Sequence, residues 1–574
     1  MKEHIQDFEA ALVKGMGNYI CLDRMDKERI ETQYLLKNPD FTRLLNIVRE
    51  FELNISGDFE TLGFTLPNDI RSRVNADRDQ CAWRDCHFFS RCYVRHMREK
   101  ATQAQVIVVN HTLLLLDAVL GGYLLPERDV IVVDEAHHLE EEATRAFTVT
   151  VSESQISALL AQQKLKQHSR ADLQEEAKQT MMHAWDRLAL VAHPTYNKNR
   201  INLQEPLQEG LRLATLISDL ADSLRLQRPE SMEDQENVLY DKLIARTQNL
   251  AENIRMVFSV NQRDKFVYYI EQVVKAGRRG PQLEVSAAPL DVSTWLNEYL
   301  FSKSNVICTS ATLATVGPNP TDPGDKSPNF AYFRRRTGLD HMEYPNVLER
   351  ILPYTFDYEH NAMLYLPRHL PEPVFGPESD GYAKTLAEEM MRLVEASRGR
   401  AFLLFSSKRM LDAVYNIFLD HLPTHLDFPL LRQGDYNRIE LVRKFRESEG
   451  AVLFGLKSFW EGVDIAGEAL SLVVIDKMPF DPPDDPVHEA RVARMKASGE
   501  NWFGNYVLPQ AVLRLKQGLG RLLRTHEDRG VMAILDTRLH TKGYGKLVIN
   551  ALPPARRTHN IIDVERFFAV DSPF

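Results

Sequence analysis

Apolar positions along this chain follow two different periods. Short unbroken runs at residues 106–109 and 130–133, and again at Val306-Ile307-Cys308, read as strands of a parallel sheet with loop or helix between the first two. From residue 139 to about 262 the spacing changes to three and four, predicting helices over 156–165, 172–193, 207–226 and 238–260, broken by polar loops such as 228–237. Residues 266–271 and 283–287 return to a strand pattern and are expected to lead the chain back to the first sheet, which closes with 305–309. After a Pro/Asp-rich loop at 318–328 strands and helices alternate. Strands are expected at 362–366, 401–405, 428–432, 451–456, 470–475 and 531–536, and helices at 382–396, 408–421, 438–447 and 509–524. Alternation of this kind means a doubly wound parallel sheet. The expected fold is therefore α/β, with two parallel-sheet domains and a helical insertion in the first.

Chemistry sits where these runs end. The strand at 130–133 runs into Asp134-Glu135-Ala136-His137, two adjacent carboxylates at the carboxyl edge of a parallel sheet. That is where Asp134 can hold Mg²⁺ on nucleotide phosphates and Glu135 can orient and deprotonate an attacking water, with His137 as a polar coupler. An exposed acidic turn is the plainer alternative. Thr309-Ser310-Ala311-Thr312 follows the strand 306–308 and offers small hydroxyls as a relay, or simply a helix cap. In Gln517-Gly518-Leu519-Gly520-Arg521-Leu522-Leu523-Arg524, helical spacing puts Gln517, Arg521 and Arg524 on one face. Two guanidiniums there suit a triphosphate, although a solvated basic face has the same pattern.

The 574 residues include only five cysteines and no run of eighteen apolar residues, so a reducing compartment, the cytoplasm, is expected, with no membrane span. Four of the five, Cys21, Cys81, Cys86 and Cys92, supply a thiolate set that a cubane iron-sulfur cluster or zinc would accept, with unligated core thiols as a third possibility. Cys308 reads as an ordinary core residue. Around the last three ligands, residues 71–100 hold eight Lys/Arg against four Asp/Glu, interleaved with Trp83, Phe88, Phe89 and Tyr93. Such a surface, with Arg84, Arg91 and Arg95 among its cations, can track a single strand by phosphate contact and stacking; the alternative is aromatic packing around the metal site with solvated charges. The net charge of −10 argues against a protein that coats nucleic acid generally.

In the order DEAH, TSAT, QGLGRLLR the motifs resemble the superfamily 2 helicases, and Ser458-Phe459-Trp460-Glu461-Gly462-Val463-Asp464 matches the segment that contacts nucleic acid and nucleotide there. With KGMGNYIC, C-x4-C-x5-C and VVNHTLLL, the whole chain resembles the xeroderma pigmentosum D type iron-sulfur helicases, in their bacterial DinG/YoaA branch. The resemblance implies two RecA-like motor domains, the first incomplete, a 4Fe-4S cluster on the four cysteines, and ATP with Mg²⁺ at Asp134, Gly462, Asp464, Arg521 and Arg524. It implies Gln517 as γ-phosphate sensor, Arg521 and Arg524 as arginine fingers, Trp460 on nucleic acid, and 5′ to 3′ movement on single-stranded or forked DNA in repair or replication. Domain boundaries are expected at 1–105 (front with the cysteines), 106–138 (core with DEAH), 139–262 (helical arch), 263–317 (return) and 318–574 (second motor).

One expected part is missing. No G-x-x-x-x-G-K-[ST] string, the loop whose amides and lysine cradle phosphates, occurs in the sequence; Gly324-Asp325-Lys326-Ser327 lies in the Pro/Asp-rich loop. The expectation from this alone is a chain lacking its front that hydrolyses little ATP, or a non-catalytic single-stranded DNA-binding module.

Overall fold

The computed structural model describes residues 7–31, 38–51, 55–192, 199–273, 281–315, 327–342, 346–374, 379–422, 426, 428–460 and 470–569. Gly462, Asp464 and Gly324 to Lys326 lie outside these residues. The chain divides into two compact units: residues 1–133, 138–307 and 484–491 form one, and 134–137, 308–483 and 492–574 the other. Among the described residues no helix is long and apolar enough to cross a membrane.

In the first unit the cysteine-bearing region is a small helical body. Helices Leu22–Glu31, Pro39–Phe51 and Asn68–Val74 close on a core of Ile20, Phe41, Leu44, Ile70 and Tyr93. Gly57, at φ +72°, is required there because a Cβ would fall 2.2 Å from the Tyr93 ring. The strand expected at 106–109 forms as Val106–Val108 and pairs parallel with Ala10–Leu12, while Val130–Val133 pairs with Asn305–Cys308. Among the described residues these are two separate two-stranded sheets rather than one continuous sheet.

The helical insertion forms much as the apolar spacing predicts, with helices Ala171–Ala192, Gln208–Leu226 and Asp234–Ser259. The helix expected over 156–165 is two, Glu153–Leu160 and Gln163–Gln167; the first starts on a capping box between Ser152 and Gln155. The strands read as returning to the first motor sheet do something else. Phe266–Val273 and Gln282–Pro289 pair antiparallel with each other and join Val149–Ser152 and Arg200–Asn202 in a four-stranded sheet. Alternation explains its position: Tyr268, Ile270, Val285 and Ala287 face the helical core, while Val267, Tyr269, Ala288 and Leu290 face Val487 and Ala490.

The second unit is built on a seven-stranded, all-parallel sheet in the order Leu430–Arg432, Val452–Gly455, Ala401–Leu404, Leu472–Ile475, Gly530–Ile534, Ala362–Tyr365, Arg556–Thr558. Both faces are buried, as a doubly wound sheet demands: Phe402, Leu404, Val473 and Ile475 pack into one layer, and Ala401, Leu403, Leu472 and Val474 into the other. Six strands fall where the apolar runs predict them. The edge strand Arg556–Thr558 and the helices Pro486–Ala497 and Ile561–Ala569 are additional. The helix expected over 509–524 ends at Leu519, with Gly520 as its C-cap.

Candidate functional site

Asp134 and Glu135 leave the end of strand Val130–Val133 with exposed side chains, and Glu135 takes a left-handed φ of 47°. A non-glycine residue held there costs about 1 kcal/mol, a strain typical of functional turns. The Asp134 carboxylate accepts the Glu135 amide (Oδ1, 3.0 Å), and Ala136 N donates to Thr309 O (3.0 Å), drawing the TSAT turn against the acidic one. Ser310 sits between the two carriers of chemistry. Its Oγ donates to Glu135 Oε2 (3.0 Å), lies 2.7 Å from His137 Nδ1, and accepts the Thr312 amide at 3.2 Å. A hydroxyl has one proton and two lone pairs. With the proton given to Glu135, His137 Nδ1 must donate, and every valence of Ser310 is used. Ser310 thus forms a His137–Ser310–Glu135 bridge, with His137 also 3.3 Å from Glu135 Oε2.

Helix Leu508–Leu519 carries Gln517, half-buried, near its end. The expected single face of Gln517, Arg521 and Arg524 does not form, because the helix stops before the arginines. Arg521 Nε donates to Trp460 O at 2.9 Å. Arg524 lies in the field of Tyr358, whose phenol burial pushes up to about 12 while the Arg524 charge pulls it down. Trp460 itself is 2% exposed and packs beside Gly518, where an added Cβ would meet its ring at 3.3 Å. Its indole is thus enclosed against the end of helix Leu508–Leu519. Sequence reasoning passes over Lys516, whose Nζ donates to Ala314 O (3.2 Å) and whose ammonium burial holds below its ordinary value. That bond ties the helix to the TSAT loop. Nothing in the sequence but its place beside Gln517 signals it.

The four cysteines are half-buried free thiols. Burial pushes Cys21 up to about 11, and Cys81 and Cys86 upward, with a further rise from mutual repulsion: Cys21 feels Cys81 and Cys86, and these in turn feel Cys92. The four thus face one electrostatic neighbourhood. The Trp83 amide donates to Cys81 Sγ (3.4 Å) from a residue at φ 53°, and backbone amides of Arg24 and Phe88 reach Cys21 and Cys86. Lys242 of the helical insertion donates to the carbonyls of Arg78 (2.9 Å) and Cys81 (2.6 Å), clamping the loop from outside. Among the described residues no group of three His, Cys, Asp or Glu is placed to hold a metal ion. Cys308, at the end of strand Asn305–Cys308, is half-buried, not in the core, and burial alone pushes its thiol up to about 12.

The aromatics of this region are largely engaged. Trp83 and Phe89 meet edge to face at 5.6 Å, Arg91 lies over Phe88, and Arg98 over Trp83. Arg95 lies over Phe89 and is ion-paired with Glu99 at 2.7 Å, while Arg84 is exposed.

With this geometry in place, the chain can be compared with known proteins. The Helicase C-terminal domain family matches residues 390–555, within the parallel-sheet unit. A solved structure called XPD helicase superposes with a TM-score of 0.55 at 15% identity, covering 96% of this chain and 86% of that one. The fold is thus that of an XPD-like α/β helicase. The chain is 32% identical over 579 residues to the ATP-dependent DNA helicase YoaA of Escherichia coli, covering 98% of this chain and 84% of that protein. It is 30% identical over 570 residues to the ATP-dependent helicase DinG of Mycobacterium tuberculosis, covering 96% and 81%. The chain belongs to the YoaA/DinG family of helicases.

Proposed function

We propose that this protein is an ATP-dependent DNA helicase that moves 5′ to 3′ on single-stranded DNA and opens forked duplexes in repair or replication. The observation that carries the reading is the bridge His137–Ser310–Glu135, which joins the acidic strand end to the TSAT turn. In this reading Asp134 holds Mg²⁺ and Glu135 takes the proton of the attacking water; bound Mg²⁺-ATP supplies the phosphoryl group. Ser310 and His137 hold the Glu135 carboxylate in one orientation, which is a positioning role. Gln517 senses the γ-phosphate, and Arg521 and Arg524 answer the charge that develops on it, with Gly462 and Asp464 beside the nucleotide. Since the two arginines leave the helix, they approach phosphate from a turn and not from a helix face. The first motor domain is assigned to residues 1–138 with the strand Asn305–Cys308 that pairs with Val130–Val133, and the second to 318–574.

Cys21, Cys81, Cys86 and Cys92 hold a 4Fe-4S cluster in this reading. What supports this reading is that the four thiols feel one another's charge and three of them receive backbone amides, which suits a group held by four thiolates. Arg84, Arg91 and Arg95 present cations to the strand.

The test is strand separation on forked duplexes with ATP and Mg²⁺. Ser310→Ala is expected to lower kcat about tenfold with little change in the KM for ATP, since it loosens Glu135 without touching the nucleotide. Equal kcat in parent and variant would remove the bridge from the mechanism.

A further inference from the structure

The second unit holds a basic cavity that none of the motifs above uses. It measures about 480 Å³ and is lined by Arg368, Lys542, Lys546, Arg557, His540 and His559, together with Leu366, Leu539 and Gly543. Its position follows from the sheet. The neighbouring parallel strands Gly530–Ile534, Ala362–Tyr365 and Arg556–Thr558 all end here, and apart from Arg557, which lies in the last of them, the lining residues named come from the segments that follow these strands. In open parallel sheets the carboxyl ends of strands are where ligands bind.

The floor is rigid. His540 Nε2 (3.2 Å) and His559 Nδ1 (2.8 Å) both contact the single carbonyl of Leu366, and since a carbonyl only accepts, both ring nitrogens donate. The two rings meet edge to face at 5.0 Å. The walls carry more cation than the protein neutralises. Lys542 is paired with Glu372 at 3.1 Å, and Arg557 donates to Ile549 O, but among the described residues neither Arg368 nor Lys546 has an acidic partner. The excess positive charge is felt inside: His540 is held below its ordinary value by burial, against its bond to Leu366 O, and further by His559 and Arg368.

We propose that this cavity is a phosphoryl-group site, in which Arg368 and Lys546 grip a phosphate of the DNA strand outside the motor motifs. The occupant named here rests on the DNA-helicase reading; the chemistry of the site, two unneutralised cations over a histidine floor, does not. A cavity of this volume admits a phosphate with part of its nucleotide. Free inorganic phosphate shares that chemistry, so the test separates the two.

The 574-residue protein, Arg368→Ala/Lys546→Ala and a control with the exposed Lys384→Ala, which does not line the cavity, are titrated against a fluorescein-labelled oligothymidine by anisotropy at several salt concentrations. The same three proteins are melted with inorganic phosphate and with chloride at matched ionic strength. A strand phosphate in the cavity makes the double variant bind at least about tenfold more weakly, with a salt dependence shallower by about 1.4 for two lost contacts, while Lys384→Ala tracks the parent. A phosphate-specific rise in melting temperature, lost in the double variant while DNA binding is unchanged, keeps the phosphoryl site and assigns it to free phosphate. DNA affinity and phosphate response both unchanged in the double variant would overturn the proposal. If the parent binds no DNA at all, the helicase reading fails on its own, and the phosphate melts still decide the site.

Discussion

Asp476 ends the central strand Leu472–Ile475 with its side chain wholly buried, and replacing it by asparagine should stabilise the protein in a pH-dependent way. Burial pushes its carboxyl up from the ordinary 3.8 to about 7, against the Lys477 charge and hydrogen bonds from Ser406 and Lys477. The folded chain thus binds this proton more tightly than the unfolded chain. Asp476 therefore costs nothing where both states are protonated, below about pH 4, and its penalty grows as pH rises to about 7 and is then constant. At about 1.4 kcal/mol per unit, the penalty increases by about 2 to 3 kcal/mol between pH 5 and pH 8. The side chain introduced by Asp476→Asn has no such titration, and its amide can replace the carboxylate: the oxygen takes the amides of Ser406 and Lys477, which reach Asp476 Oδ1 at 3.0 and 2.8 Å, and the nitrogen donates to Ser406 Oγ. Other titrating groups cancel in the difference between parent and Asp476→Asn. Thermal melts of both proteins from pH 5 to 8 should show the variant's advantage widening by about 2 to 5 °C. A difference in melting temperature independent of pH would refute the assignment.

Gly399 sits at φ +73° with Gly450 O only 1.8 Å from where a Cβ would lie, so Gly399→Ala should cost more than about 2 kcal/mol, read as a lower melting temperature; an unchanged melt would refute the clash. Anaerobically purified protein is expected to be brown with about four irons per chain, and Cys86→Ser to lose both while Cys308→Ser keeps them; stoichiometric zinc without iron would contradict the cluster. Replacing Arg84, Arg91 and Arg95 together by Ala should make the salt dependence of single-strand binding shallower by about 1 to 2, and an unchanged slope would return them to a solvated face.

The parallel sheet of the second unit is legible in the sequence because each of its inner strands is a continuous apolar run, which only a strand buried on both faces requires. Arg556–Thr558 escapes because an edge strand of three residues, two of them arginine, carries no such run. The helix ending at Leu519 reads too long for a related reason: Leu522 and Leu523 remain buried and keep the apolar spacing, while the two glycines that weaken the helix leave no mark on that period. The strands at 266–273 and 282–289 are legible as strands, but their partners depend on contacts distant in sequence, which periodicity does not encode. At the site, DEAH and TSAT mark two turns that the fold brings together, and the bond pattern joining them is visible only in three dimensions. Trp460 is assigned to nucleic acid by resemblance alone, whereas Gly518, distant in sequence, opens the space that encloses its ring.

The central claim is that Asp134 and Glu135, aligned by Ser310 and His137, form the hydrolytic centre of a DNA-driven motor. Phosphate release from ATP, measured for the 574-residue protein with and without single-stranded DNA beside Glu135→Gln, tests it most directly. The account predicts hydrolysis that DNA stimulates and that Glu135→Gln lowers by about a hundredfold or more. The absent glycine-rich string, taken by itself, predicts almost no hydrolysis with or without DNA, and that result, or DNA-stimulated turnover that survives Glu135→Gln, would contradict the account.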